Sequence, residues 1–309
     1  MSRAVRFDRY GGTDVLEVVD VDARDPLTGE VQVRVVAAGI NPGEIGIRSG
    51  ALHEKWPTSF PCGQGSDFAG IVSAIDDRVD GIAVGDAVIG FSDERNAQAE
   101  FVTLPAERVI PKPHGASWDE VAALYVAGTT ARANIVATRV KRGDTVVVAG
   151  AAGGVGVLTT QLAVLAGAAV VATASKDNHA FLESLGAIPV EYGKGLVDRI
   201  RKIVPDGVDA FIDCFGDGNV EAAVALGVDR DRINTLADFA ARKKYGVRAE
   251  GMSTVSARET MIELAHLIDQ GDLQVPILES FPLEDVRKAY ERQAKRHGLG
   301  KIVLEVSAP

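Results

Sequence analysis

Cysteine is scarce in this chain: there are two in 309 residues, Cys62 and Cys214, about 150 positions apart. A disulfide framework and a cysteine-rich zinc site are thereby excluded, and both residues are expected to be buried thiols. Long apolar runs are missing too. None approaches the ~20 residues that a membrane-spanning helix needs. The start, Met-Ser-Arg-Ala-Val-Arg-Phe, lacks the apolar stretch of a signal peptide, so a cytoplasmic protein is expected. No Lys/Arg block occurs, and the formal net charge is −10, which argues against nucleic acid or an anionic membrane as a partner. No internal repeat or low-complexity tract is visible. What remains is 46% hydrophobic and 25% charged, a globular composition long enough for one large or two ordinary domains of about 100–200 residues each.

One stretch organises the rest: Thr145-Val-Val-Val-Ala-Gly-Ala-Ala-Gly-Gly-Val-Gly156. Residues 145–149 are apolar on both parities, as a strand buried on both faces of a parallel sheet should be. Gly153, Gly154 and Gly156 follow. Lacking Cβ atoms, they allow a sharp bend, a close approach of phosphate to peptide N–H groups, and tight packing of the next helix on the strand. That helix would turn its free N–H groups and positive dipole end to the anion. Against G-x-G-x-x-G the match is Ala151-x-Gly153-x-x-Gly156, with alanine in the first slot. A second apolar run at 168–173 completes a unit of βαβ length, the context that turns a weak motif into a dinucleotide cradle over residues Ala151, Ala152, Gly153, Gly154, Val155 and Gly156.

Before the cradle, from Ala4 to about Pro113, short β-like runs such as Val31–Val36, Ala69–Ile75 and Phe101–Leu104 are punctuated by Gly, Pro and Asp, the texture of a β-rich domain. Gly85-Asp86 reads as a turn. Ser117-Trp-Asp-Glu120 has the form of a capping box, where a helix and a second domain should begin. After residue 145 the pattern alternates: strand 145–149, helix 154–166, strand 168–173, helix 176–185, strand 188–192, helix 195–203, strand 208–213, helix 219–226, strands 232–236 and 246–250, and helix 256–270. Such alternation predicts a doubly wound parallel sheet with its ligand at the carboxyl ends of the strands. A helix over 282–293 and a strand over 300–306 close the chain.

Several segments together make the chain similar to the zinc-independent quinone oxidoreductases, the zeta-crystallin-like family of the medium-chain dehydrogenase/reductase superfamily. They are Ala37–Pro42, Phe60–Gly70, Val84–Asp86, Val126–Thr130, Ala151–Gly156, Val208–Gly216 and Gly300–Val306, and the resemblance covers nearly the whole chain. It implies an α/β protein of two parts. A GroES-like β-rich catalytic domain over 1–116 is completed by 272–309, and a Rossmann NADP-binding domain spans 117–271, with the active site in the cleft. It also implies a homodimer.

Zinc relatives in the superfamily carry cysteine where this chain has Asn41 and histidine where it has Ser66, together with a four-cysteine loop that is missing here. Asn and Ser are poor ligands for Zn²⁺, so no metal is expected. NAD-specific folds place an acid at the end of the second strand. Here the place reads Thr173-Ala-Ser-Lys176, so Ser175 and Lys176 suit a 2′-phosphate and NADPH is the expected cofactor. The resemblance adds Tyr192 and Arg296 as further phosphate contacts. It assigns Asn41 to the ribose, Thr129 to the nicotinamide region, and Cys214, Phe215 and Gly216 to the loop beneath the cofactor. Tyr125, Trp56 and His53 are candidates for the substrate pocket, Tyr125 and His53 being the side chains to test as proton donors; no general acid is assigned. The implied activity is hydride transfer from NADPH to a small-molecule electrophile, a quinone. Reduction of an enone or alkenal double bond and a non-catalytic NADPH-binding sensor are the alternatives.

Overall fold

Strands form where the apolar runs stand, and the way they pair divides the chain. The computed structural model describes residues 2–309. The chain falls into two units: residues up to Val126 with Met261–His297 and Lys301–Pro309 form the first, and Ala127–Thr260 with Gly298–Gly300 form the second. The expected boundaries at 116/117 and 271/272 are therefore displaced by about ten residues. The reason at the first is close packing. The helix Trp118–Ala122 lies so near the strand Glu30–Gly39 that a Cβ on Gly39 would come within 2.6 Å of the Ala122 carbonyl oxygen. Its predicted capping box is present: Ser117 N–H donates to Glu120 Oε2 (2.7 Å), and Glu120 N–H donates to Ser117 Oγ (3.3 Å).

In the first unit Glu30–Gly39 is the spine. It pairs antiparallel with Asp67–Ile75, Phe101–Pro105 and the C-terminal strand Lys301–Glu305, which itself pairs parallel with Ile277–Pro282. Alternate spine residues Val31, Val33 and Val35 are fully buried, against Phe68, Val72, Leu304 and Tyr290. The last strand thus returns to the first third of the chain because its apolar face, Ile302 and Leu304, completes that core. Ile82–Val84 forms no strand before Ala87–Phe91, though the expected turn is present, with Gly85 at φ +97°. The helix expected at 282–293 occupies Val286–Ala294. The helix Pro42–Arg48 was not foreseen.

The second unit is a five-stranded, wholly parallel sheet in the order Ile188–Glu191, Ala169–Ala174, Thr145–Ala149, Ala210–Asp213, Ile233–Thr235. The first strand sits centrally and the order reverses beside it, which is the Rossmann arrangement and puts the crevice at that strand's carboxyl end. The helix expected at 176–185 is divided into a tight turn, Lys176–Asn178, and a helix, His179–Ser184.

The strand expected at 246–250 is not formed. Arg248 makes one bridge to Asn234, and there the ladder ends, because the Asn234 amide occupies the next positions: its Oδ1 accepts from Glu250 N–H (2.8 Å) and its Nδ2 donates to Glu250 O (3.0 Å). A helix, Phe239–Tyr245, precedes it and ends on left-handed Gly246. The helix Tyr125–Ala137 also escaped the sequence reading. Among the described residues no helix is long and apolar enough to cross a membrane.

Candidate functional site

In the second unit the cradle is built from backbone. Gly150, at φ +73°, makes the turn at the end of the central strand, and Gly153 caps the helix Gly154–Leu165 with no side chain bonded to the first turn. The N-terminal N–H groups of an α-helix have no partners inside it. Gly156 supplies the close approach. A Cβ there would stand 2.1 Å from the Gly150 carbonyl oxygen and 2.9 Å from Ala151 Cα, so no other residue fits without moving backbone. Gly153 differs, since its Cβ would meet only the Gly150 oxygen, at 3.4 Å. Ala151 and Ala152 are buried, and Ala151 N–H donates to Thr173 O. Gly300 N–H donates to Ala152 O (2.8 Å), pinning the segment before the last strand against the turn. These features fit a pyrophosphate.

Around this turn the structure gathers the loop Cys214–Gly216. A Cβ on Gly150 would meet Phe215 Cβ at 3.0 Å. The loop is held by Asp213, fully buried, whose Oδ1 accepts from Phe215 N–H (3.0 Å), Gly216 N–H (2.7 Å) and Asn219 Nδ2 (3.0 Å), while its Oδ2 accepts from Thr235 Oγ1 (2.7 Å). Cys214 accepts from Asn134 Nδ2, and burial, with Asp213 adding to it, pushes its thiol up to about 12. It is an inert thiol, although the residue is half-buried rather than buried like Cys62. Thr129 is fully buried on the helix Tyr125–Ala137. At the end of the second strand, Ser175 Oγ accepts from Asn178 Nδ2 (3.2 Å), and Lys176 points at Glu191 of the neighbouring strand, 3.8 Å away with both groups exposed. Tyr192 follows, 53% exposed.

The remaining candidates lie in the first unit. Tyr125 is buried and stacked on Phe91 with ring centroids 4.9 Å apart; burial raises its pKa, opposed by Arg108, so it is a weaker acid than a free phenol. His53 Nδ1 lies 2.5 Å from Tyr10 Oη, and exposed Trp56 is capped by Lys55. The structure thus seats His53 beside Tyr10 and Trp56 beside Lys55, on a solvent-exposed segment. Arg296 stands after the helix Val286–Ala294 with φ +49°.

Asn41 proved to belong to a group the sequence reading missed. It precedes the helix Pro42–Arg48, whose Glu44 reaches back to the Asn41 N–H (3.1 Å). The Asn41 Nδ2 donates to Asp67 Oδ2 (3.1 Å) and more weakly to Glu44 Oε1 (3.4 Å), and its Oδ1 accepts from Lys301 Nζ (2.6 Å). Tyr290 Oη donates to Glu44 Oε2 (2.5 Å) and accepts from Gln98 Nε2 (2.8 Å), while Arg48 lies over the Tyr290 ring. All are buried, Asp67 and Tyr290 completely.

Lys and Glu are almost never found so deep unless paired. Burial raises Glu44 to about 7, against the Tyr290 and Asn41 hydrogen bonds. It also raises Asp67 and lowers Lys301, each opposed by the other's charge. The only trace of this in sequence is a lysine opening the apolar run Ile302-Val-Leu304 and an aspartate inside Phe60–Gly70. Among the described residues, no three His, Cys, Asp or Glu side chains form a group able to hold a metal ion.

Known proteins resemble the chain along its whole length. Residues 28–114 match the alcohol dehydrogenase GroES-like domain, and residues 185–304 match the zinc-binding dehydrogenase family. Quinone oxidoreductase of Mus musculus is 31% identical over 97% of this chain and 96% of its own. Among solved structures, the Escherichia coli quinone oxidoreductase complexed with NADPH superposes with a TM-score of 0.85 at 26% identity, covering 98% of this chain and 99% of that one. The CurK enoyl reductase superposes at 0.87 and 25% identity, covering 99% of each chain.

Proposed function

We propose, from the premise that this chain belongs to the quinone oxidoreductase family of the medium-chain dehydrogenases/reductases, that it is an NADPH-dependent, zinc-independent quinone reductase. The observation that carries the reading is the cradle: a Cβ-free bend at Gly156, a helix start with no side-chain cap, and a loop stapled beneath it by Asp213. Within Ala151–Gly156 the pyrophosphate would be held by the backbone N–H groups of the helix's first turn, those of Ala151 and Gly153 being bonded to Thr173 O and Gly150 O. Ser175, Lys176 and Tyr192 would receive the 2′-phosphate, with Arg296 a further contact. Asn41 would bond the ribose, and Thr129 with Cys214–Gly216 would seat the nicotinamide.

NADPH supplies the hydride when bound. The protein's share is positioning, exclusion of water and hydrogen bonds to the oxyanion formed on the acceptor. A quinone requires no more, since it takes hydride readily and delocalises the resulting charge, and water can provide its protons. Asn41 is unsuited to zinc in this setting, because its amide is already divided between Lys301 and two carboxylates. Tyr125, Trp56 and His53 are proposed to line the acceptor pocket. A cytoplasmic homodimer acting on a small electrophile completes the reading. The likeness to an enoyl reductase favours a second one, reduction of a conjugated C=C bond.

NADPH consumption across panels of quinones and enones, with NADH and a chelator as controls, tests these points together. Turnover with quinones that survives chelation is expected. Faster turnover on enones selects the second reading, and failure to bind NADPH at all overturns both.

A further inference from the structure

We propose that Lys301 is a positioning residue that fixes the Asn41 amide as a hydrogen-bond acceptor for the nicotinamide-side ribose, an inference that rests on the ribose role given to Asn41 above. Lys301 opens an otherwise apolar strand and is 5% exposed, yet its volume could be filled by methionine. Only its charge sets it apart. The ammonium donates to Asn41 Oδ1 (2.6 Å) and to the Ile40 carbonyl (2.8 Å), the two oxygens on either side of the Ile40–Asn41 link.

An asparagine amide can turn about its last bond, so something must choose its direction. Here the surroundings do. With Oδ1 on the ammonium, Nδ2 faces the Asp67 and Glu44 carboxyls. Turned over, the amide would aim its oxygen at both carboxyls and its N–H groups at a cation. Both N–H groups being engaged, Asn41 offers a ligand only Oδ1, whose lone pair beside the Lys301 ammonium also faces the Glu44 N–H of the capping box, a donor held in turn by the Asn41 main-chain carbonyl at 3.1 Å. That lone pair suits a ribose hydroxyl, which donates, and disfavours a carbonyl or phosphate, which would need a donor.

The test uses the full chain with Lys301→Met, and with Lys301→Met/Asp67→Asn so that the Asp67 carboxylate is not left without its cation. Each is titrated with NADPH and with adenosine 2′,5′-bisphosphate, which carries both phosphates of the adenosine half and no nicotinamide ribose. Expected is a Kd for NADPH raised about tenfold, the equivalent of one hydrogen bond to a charged or polarised group, with binding of the bisphosphate unchanged. Asn41→Leu should weaken NADPH to the same degree, and adding Lys301→Met to it should weaken it no further. Unaltered NADPH affinity, equal weakening of both ligands, or losses that multiply in the double variant would each overturn the role of Lys301. Wild-type protein that binds neither ligand would instead sink the cofactor reading itself, and this inference with it.

Discussion

The glycine cradle and the cluster around Asn41 are two ways of making a polar site inside a protein. The cradle has no ionisable group, and its polar atoms are peptide N–H and C=O groups whose positions follow from φ angles at a few glycines. The cluster has two carboxyls, a lysine, an arginine and a phenol, drawn from residues 41–48, 67, 290 and 301, and its shape depends on which of them carry charge. Backbone sites are thus broken by volume. Side-chain sites are broken by charge.

The sharpest way to break the first is a side chain at Gly156. Gly156→Val would force a Cβ to 2.1 Å from a backbone oxygen that cannot yield, so thermal or denaturant unfolding should show a loss of at least about 3 kcal/mol. Gly153→Ala is the control, because its Cβ meets nothing closer than 3.4 Å. Its stability should stay within about 0.5 kcal/mol of wild type, while its affinity for NADPH falls if phosphate approaches that peptide. A Gly156→Val protein as stable as wild type would show that the cradle relaxes, and the contrast with the cluster would be lost.

The cluster should respond to pH where the cradle does not. Glu44 is pushed up to about 7 by burial, facing Tyr290, Asn41, Asp67, Lys301 and, beyond the phenol, Arg48. A carboxyl whose folded pKa exceeds its unfolded value binds more protons folded than unfolded in the interval between them. Its contribution is therefore complete below about 4.5 and is lost as pH rises toward 7, on the order of 3 kcal/mol in total. The lowered pKa values of Glu30, Glu100 and Asp144 tilt the wild-type profile the other way. The difference between wild type and Glu44→Gln isolates the slope: the variant should gain relative stability from pH 5 to pH 8 and change little above that. A constant difference across the range would mean that Glu44 keeps its charge when buried.

This contrast also explains what could be read from sequence. Strand 145–149, the helix from residue 154 and the parallel order that follows were legible because glycine spacing and β-branched runs encode backbone directly. Asp67, Glu44, Tyr290 and Lys301 were not, since residues 250 positions apart meet only after the last strand has paired with Glu30–Gly39. The absent strand at 246–250 is the same lesson in reverse. Its pattern was adequate, but one asparagine side chain, Asn234, took the hydrogen bonds that a sixth strand would have used.

The smallest effect lies at the far end of the cradle's own unit, where side chains rather than backbone are asked to choose the nucleotide. Lys176 and Glu191 are both exposed and 3.8 Å apart, so the lysine proposed for the 2′-phosphate already has a carboxylate for company. Exposed pairs of this kind are worth roughly 0–1 kcal/mol. Lys176→Ala should therefore lower the ratio of kcat/KM for NADPH over NADH by no more than about fivefold. Glu191→Gln should raise that ratio by a similar factor, because it frees the ammonium and removes a charge that repels phosphate. Both shifts should shrink as salt rises, since surface charges about ten ångströms apart or more are screened at ~0.1 M ionic strength and nearer ones are weakened. If Glu191→Gln leaves the ratio where it was while Lys176→Ala abolishes NADPH use, the phosphate is held in a pocket shielded from Glu191. Recognition there would then depend on enclosure, as proposed for Asn41, and not on an open surface.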